Sequence, residues 1–82
     1  MTAYNSANIR ALDHEFVEHT YKRNDVCLVS GKGSLLFDET GKRYIDLGTG
    51  IGVNAFGAAD DVWAAAVKAQ IDALPHASNL YY

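Results

Sequence analysis

The sequence contains little cysteine and little proline. It has one cysteine, Cys27, and one proline, Pro75, among 82 residues. A single cysteine excludes an internal disulfide and a zinc site built on cysteines. Cys27 lies in a short β-rich run, so we expect it to be a buried strand residue. Pro75 cannot continue a helix, so it is expected to mark the end of one.

Long apolar runs and clusters of positive charge are also missing. No stretch approaches the roughly 18 apolar residues that span a bilayer, and Met1–Ser6 lacks the basic and apolar parts of a secretory signal. The seven lysines and arginines are scattered, and the net charge is −3. This pattern argues against nucleic acid and membranes as partners, and it predicts a cytoplasmic protein.

The remaining composition is that of a globular chain, with 49% hydrophobic and 21% charged residues. A chain of this length forms one domain at most, so residues 1–82 are expected to form a single segment or small domain. Such a chain buries only about 60% of its unfolded surface and is marginally stable alone. Residues 1–8 are polar, and we expect them to be disordered.

Hydrophobic spacing predicts an α+β fold of two helices around three short strands. Apolar residues at steps of three and four predict a helix over 8–21, capped by Ser6 or Asp13, and a second helix over 60–74, capped by Asp60. β-rich runs separated by turns at 31–33 and 38–41 predict an antiparallel meander. The predicted strands are 26–29, 34–37 and 43–47.

Three glycines, Gly48, Gly50 and Gly52, follow the third predicted strand. A dinucleotide fingerprint would require glycine at the sixth position, which is Val53, and it would lie in a βαβ unit rather than a meander. Two readings remain equally supported by the residues. The glycine loop is either a crossover required for close packing or a loop that approaches a ligand.

No complete catalytic or metal site is visible in the sequence. His14 and His19 are five residues apart, which does not suit a helical metal pair, and we expect both to be solvated helix residues. Gly31-Lys32-Gly33 lacks the spacing of a phosphate loop. The polar and aromatic stretch Ser78–Tyr82 suits either a pocket edge or packing against further chain. The prediction is therefore no catalytic residue and no metal ligand within these 82 residues.

Four stretches in order resemble a known family, the class III pyridoxal-phosphate-dependent aminotransferases. Gly33–Asp46 is similar to the first hairpin of that family. Gly50–Asn54, His76–Tyr82 and the short Thr20–Arg23 run are similar to its acetylornithine aminotransferase branch in particular. The resemblance covers about residues 20–82.

The resemblance implies that the chain is the N-terminal part of a fold-type I pyridoxal-phosphate-dependent transferase. In the full-length homodimer, the enzyme would move an amino group between N-acetylornithine and 2-oxoglutarate in arginine biosynthesis. The Schiff-base lysine would lie beyond Tyr82, so the isolated chain is expected to be inert and to hold no pyridoxal phosphate. The resemblance assigns these residues to substrate binding: Gly50, Ile51, Gly52, Val53, Asn54, Ser78, Asn79 and Tyr82.

One stretch departs from the family pattern. Many relatives carry Gly-His-x-His-Pro before the second helix, where this chain has Gly57-Ala58-Ala59-Asp60-Asp61. The departure leaves open an ornithine or 4-aminobutyrate aminotransferase, and a free-standing binding or dimerisation module is a further alternative.

The expected partners are the remainder of the chain and a second subunit. The isolated piece, lacking them, is expected to self-associate through exposed apolar surface.

Overall fold

The predicted α+β order is confirmed by a computed structural model, which describes residues 5–82. A helix leads into a three-stranded antiparallel sheet of order β1-β2-β3, and a short turn and a long helix follow. The elements are α1 (Ser6–Phe16), β1 (Leu28–Lys32), β2 (Leu35–Asp38), β3 (Arg43–Ile45), α2 (Thr49–Gly52) and α3 (Asp61–Ala73).

The first helix begins earlier than predicted. Its N-cap is Asn5, whose side-chain Oδ1 accepts a 2.8 Å hydrogen bond from the Asn8 amide, so the predicted caps Ser6 and Asp13 were wrong. Asparagine is among the best N-cap residues for this reason. The expected disorder covered residues 1–8; residues 1–4 lie outside the described part, and 6–8 are helical.

The same helix ends at Phe16 rather than at residue 21, because the chain turns back along it. Val17 is extended, with φ −105° and ψ 134°. Two ion pairs then join the following segment to the helix: Arg10 to Asp25 at 2.7 Å and Arg23 to Asp13 at 3.3 Å. These contacts require a reversal that a helix continuing to residue 21 would prevent.

The reversal also moves His19 off the helix. Its ring stacks on that of His14 with centroids 4.8 Å apart, and its Nε2 lies 2.8 Å from the His14 carbonyl oxygen. Both residues are exposed, as predicted, but the prediction that both are helical was wrong for His19.

The first hairpin turns later than the sequence predicted. Lys32 pairs with Leu35, so Gly31 and Lys32 belong to β1 and only Gly33 and Ser34 form the turn. A two-residue turn requires the strands to continue up to it on both sides. Cys27 consequently lies just before β1 rather than inside a strand, and it is half-buried rather than buried.

Asp38 organises the second hairpin. Its Oδ1 accepts hydrogen bonds from the Thr40 amide, the Thr40 hydroxyl and the Lys42 amide at 2.9, 2.6 and 3.0 Å. Its Oδ2 accepts from the Tyr44 hydroxyl at 2.9 Å. Gly41 adopts φ 87°, so the predicted turn chemistry at both positions is confirmed.

This network makes the second hairpin sensitive to acid. The Thr40 hydroxyl above all, with Tyr44 and two amides, lowers the Asp38 pKa from 3.8 to about 2. Because the folded pKa lies below the unfolded one, the stabilisation is complete above about pH 4 and is lost as the pH falls through about 2. An NMR titration of the Asp38 carboxyl group is expected to show this midpoint, and Thr40→Val should move it back toward 3.8. An unchanged midpoint in Thr40→Val would contradict the assignment.

The second long helix is confirmed at almost its predicted bounds. Asp60 caps it through a 2.9 Å hydrogen bond from the Trp63 amide, and Leu74, just before Pro75, is its C-cap. Its apolar stripe is exposed: Trp63 is 55% exposed and Ile71 56%. None of the residues whose burial the structure describes, 5 and 7–82, is fully buried, so the elements present apolar faces without covering them. None of the helices described is long and apolar enough to cross a bilayer.

Candidate functional site

The glycine loop contains one left-handed turn. Four consecutive residues of α2 have positive φ: Thr49 at 51°, Gly50 at 63°, Ile51 at 64° and Gly52 at 83°. Glycine adopts these angles freely, but a β-branched residue there is a genuine outlier. Each non-glycine residue costs roughly 1–2 kcal/mol in this conformation. Thr49 and Ile51 must therefore be held in place by their surroundings.

Asp46 provides that support at the start of the turn. Its Oδ1 accepts hydrogen bonds from the Gly48 amide at 3.1 Å and the Thr49 amide at 2.8 Å. Within the turn, the Ile51 amide donates to the Gly48 carbonyl at 2.9 Å, and the Asn54 amide donates to the Thr49 carbonyl at 2.9 Å. The carboxylate and these amides set the path of the backbone into Gly50–Asn54.

The predicted site residues of this loop are all exposed. Ile51 is 99% exposed and Val53 is 80% exposed, so these two apolar side chains project from the turn instead of packing beneath it. An apolar side chain that is fully exposed on a strained backbone gains nothing from local packing. The arrangement favours a loop that contacts something outside residues 5–82 over a crossover required for internal packing.

The second predicted group lies at the end of the chain. Ser78 begins a turn in which its carbonyl accepts from the Tyr81 amide at 3.1 Å and its hydroxyl accepts from the Leu80 amide at 3.2 Å. Ser78, Asn79 and Tyr82 are exposed. No side-chain hydrogen bond within the described part joins this group to Gly50–Asn54, so the two groups do not form one enclosed site here.

A groove adjoins the start of the glycine loop. It has a volume of about 620 Å³ and lies between the segment after α1 and the end of β3. Tyr21, Tyr44, Asp46 and Leu47 are among its lining residues. None of the eight predicted substrate-binding residues lines it. No group of three metal-binding side chains occurs within residues 5–82.

The sequence interpretation missed two residues that make polar contacts at the ends of this loop, Asp46 before it and Lys32 beyond it. An Asp two residues before a glycine is typical of an Asx turn, so the role of Asp46 could have been predicted from the sequence. Lys32 donates to the Ala59 carbonyl at 2.9 Å and to the Asp61 carboxylate at 2.8 Å. No local pattern links residues so far apart in sequence, and only the fold brings them together.

Comparison with known proteins identifies close relatives of this segment. It is 43% identical over 77 residues to the acetylornithine aminotransferase of Haemophilus ducreyi, a match that covers 94% of this chain and 20% of that protein. It is 46% identical over 72 residues to the acetylornithine aminotransferase of Wolinella succinogenes, covering 88% of this chain and 18% of that protein. The chain thus spans about a fifth of the length of the curated relatives that it matches.

Solved structures agree with the sequence relatives. Acetylornithine aminotransferase from Elizabethkingia anophelis superposes with a TM-score of 0.89 at 26% identity, over 95% of this chain and 20% of that one. The ornithine aminotransferase of Toxoplasma gondii ME49 superposes with a TM-score of 0.76 at 25% identity, over 84% of this chain and 16% of that one. No protein-family model matches the chain.

Both kinds of comparison agree with the resemblance first read from the hairpin, the glycine loop and the final tyrosines. The identity extends over nearly the whole chain, and the structural match includes the helix, the sheet and the second helix together. The chain belongs to the class III pyridoxal-phosphate-dependent aminotransferases, as a segment whose sequence relatives are acetylornithine aminotransferases.

Proposed function

We propose that residues 1–82 are the N-terminal segment of a cytoplasmic acetylornithine aminotransferase, called the parent enzyme below. Its reaction would transfer an amino group between N-acetylornithine and 2-oxoglutarate in arginine biosynthesis. The observation that carries the proposal is the 43% identity to the Haemophilus ducreyi enzyme over 94% of this chain. Because the match covers only 20% of that enzyme, the activity belongs to the parent enzyme rather than to this segment.

The segment's role in that enzyme is to form part of the substrate site. Gly50–Asn54 would line the substrate side, with Ser78, Asn79 and Tyr82 at its border. The exposure of Ile51 and Val53 on a strained turn supports this role, because both side chains are free to meet a ligand or a neighbouring element. Backbone strain of this kind is characteristic of functional loops.

The described residues do not fit pyridoxal phosphate by themselves. The cofactor requires a lysine amine for its Schiff base, and an enclosed site. Lys32 is already paired with Asp61, and the other three lysines are exposed: Lys22, Lys42 and Lys68. We therefore infer that the cofactor and its lysine belong to the remainder of the parent enzyme.

The remainder of the parent enzyme and a second subunit would also cover the apolar face of α3. Trp63, Ile71 and Leu74 are each more than half exposed, and a stripe of this kind is ordinarily buried against a partner. In their absence, the isolated segment is expected to self-associate.

The decisive experiment compares the parent enzyme with the isolated segment. Sequencing the gene beyond the Tyr82 codon should reveal the remaining domains. The purified parent enzyme should then form glutamate from N-acetylornithine and 2-oxoglutarate, with an internal aldimine absorbance band. Residues 1–82 alone should give no stoichiometric aldimine band and should sediment as more than a monomer. A gene that stops after Tyr82 would favour a free-standing binding or dimerisation module instead.

An ornithine aminotransferase is the second candidate. The superposition on the Toxoplasma gondii enzyme is compatible with it. The departure at Gly57–Asp61 from the pattern of many relatives leaves the substrate open. The ratio of kcat/KM for N-acetylornithine to that for free ornithine decides between the two, with 4-aminobutyrate as a third substrate. We expect the acetylated substrate to be preferred, because the sequence relatives with 43–46% identity are acetylornithine enzymes.

A further inference from the structure

Both ends of the glycine loop are attached to the same short turn. At the start of the loop, the Asp46 amide donates a 2.8 Å hydrogen bond to the Ser34 carbonyl. At its far end, Gly33 and Ala58 exchange two backbone hydrogen bonds, each 2.8 Å long. Compact loops whose ends lie together in this way are frequently functional. The turn between β1 and β2 thus holds both ends of the glycine loop, which comprises residues 47–57.

The far end is closely packed. A Cβ atom at Gly57 would lie 3.0 Å from the Gly33 Cα and 3.1 Å from the Gly33 carbonyl carbon. A side chain at Gly57 would therefore force the Gly33 backbone to shift, which shows that the two backbone segments are in direct contact. A small displacement at this contact would be transmitted to the rest of the loop.

Lys32 adds a side-chain connection at the same place. Its ammonium group donates to the Ala59 carbonyl at 2.9 Å and pairs with the Asp61 carboxylate at 2.8 Å. We call these two bonds the Lys32 contact. Lys32 lowers the Asp61 pKa through this hydrogen bond and its positive charge. Both acceptors lie in Gly57–Asp61, the run that departs from the family pattern.

We propose that Lys32 is a positioning residue for substrate binding, because the Lys32 contact holds the far end of the glycine loop against the β1–β2 turn. The inference rests on the proposed function, in which Gly50–Asn54 line the substrate side. Lys32 itself touches neither the substrate nor the reacting atoms. Its loss would weaken binding by letting the loop move, without removing a catalytic group.

The test uses the parent enzyme and two independent readouts. Lys32→Met removes the charge and keeps most of the side-chain stem, whereas Lys32→Arg keeps a donor. Asp61→Asn and the double variant Lys32→Met/Asp61→Asn test whether the two residues act together. Lys42→Met is the matched control, because Lys42 lies at the other hairpin. Hydrogen exchange is measured for the amides of residues 47–57, and KM and kcat are measured for N-acetylornithine.

Lys32→Met is expected to accelerate exchange in residues 47–57 and to raise KM roughly two- to fivefold, the size of effect typical of an exposed ion pair. The value of kcat should change by less than about twofold, since no reacting group is lost. Lys32→Arg should restore both readouts. The double variant should resemble Lys32→Met, because coupled residues are not additive.

Unchanged exchange in residues 47–57 would overturn the proposal, as would an equal loss in Lys42→Met. A general increase of exchange over α3 and the sheet, with kcat falling alongside KM, would indicate destabilisation rather than positioning. Failure of the proposed function is seen separately, as no turnover of N-acetylornithine by the wild-type enzyme. In that case the exchange readout still decides whether Lys32 holds the loop.

Discussion

Replacing Gly57 with alanine is expected to detach the far end of the glycine loop from the β1–β2 turn. Gly57 has φ 86°, and a Cβ there would lie 3.0 Å from the Gly33 backbone. The left-handed angle costs roughly 1–2 kcal/mol for alanine. Overpacking against backbone that cannot rotate away adds about 1–3 kcal/mol. A loss of about 2–5 kcal/mol in local stability follows.

The measurement is native-state hydrogen exchange at the amides of Gly33 and Ala58, which donate the two bonds of the bridge. Local openings appear directly in such exchange rates. Both amides should exchange roughly 30-fold faster or more in Gly57→Ala, since each 1.4 kcal/mol corresponds to about a factor of ten. The KM for N-acetylornithine should rise with them.

Gly41→Ala is the matched control for this substitution. Gly41 has φ 87°, nearly the same angle, but no atom lies within 4 Å of its would-be Cβ. It also lies at the opposite end of β2 from the bridge. Its exchange effect should therefore stay at the β2–β3 turn and leave Gly33 and Ala58 unaffected. If both substitutions accelerated the two bridge amides equally, the close approach of Gly57 to Gly33 would not be what matters.

Replacing Asp46 with alanine is expected to release the left-handed turn at the start of the loop. The substitution removes the acceptor for the Gly48 and Thr49 amides, which lie 3.1 and 2.8 Å from the carboxylate oxygen. Hydrogen bonds to a charged group contribute about 1.5–3 kcal/mol. Without them, Thr49 and Ile51 are held at positive φ only by the hydrogen bonds within the turn itself. The KM of the parent enzyme for N-acetylornithine should rise roughly tenfold or more.

Asp46→Asn separates hydrogen bonding from charge. The amide oxygen of asparagine can still accept from both backbone amides, so this variant should recover most of the lost affinity. Asp72→Ala, which removes an exposed carboxylate from α3, should leave KM unchanged. Equal losses in Asp46→Asn and Asp46→Ala would show that the negative charge, rather than the acceptor, supports the loop.

The regular elements were predictable where the local signal was strong. The helix capped by Asp60 and followed by Pro75 was found almost to the residue. The hairpin between β2 and β3 was also predicted, because Asp38 and Gly41 satisfy its turn within a few residues of each other. The predicted bounds were wrong where an element's end coincides with contacts between residues far apart in the sequence. The first helix stops at Phe16, and the returning chain then pairs with Arg10 and Asp13 of the helix.

The features of the candidate site were likewise only partly predictable from the sequence. The three glycines and the final tyrosines drew attention to the correct family, and the comparisons confirm that family. The pattern of glycines did not show that Thr49 and Ile51 share their left-handed angles. It also did not show that Lys32 reaches Asp61, since the two lie 29 residues apart. The assignment of Gly50–Asn54, Ser78, Asn79 and Tyr82 to substrate binding stays a prediction.

By itself, the sequence determined the family, through the resemblance of four motifs to it. It also determined the order of helix, sheet and helix, the helix capped by Asp60 and the turn at 38–41. The element order, the cap and the turn depend on hydrophobic spacing, capping and turn residues, all of which act between near neighbours in the chain. Only the tertiary structure decided how the glycine loop is held. Its backbone angles are unfavourable locally. The groups that hold its ends, the Asp46 carboxylate at the start and the β1–β2 turn at both ends, are brought together by strand pairing. The physical reason is that strain at one place requires support from residues that only the folded chain makes adjacent.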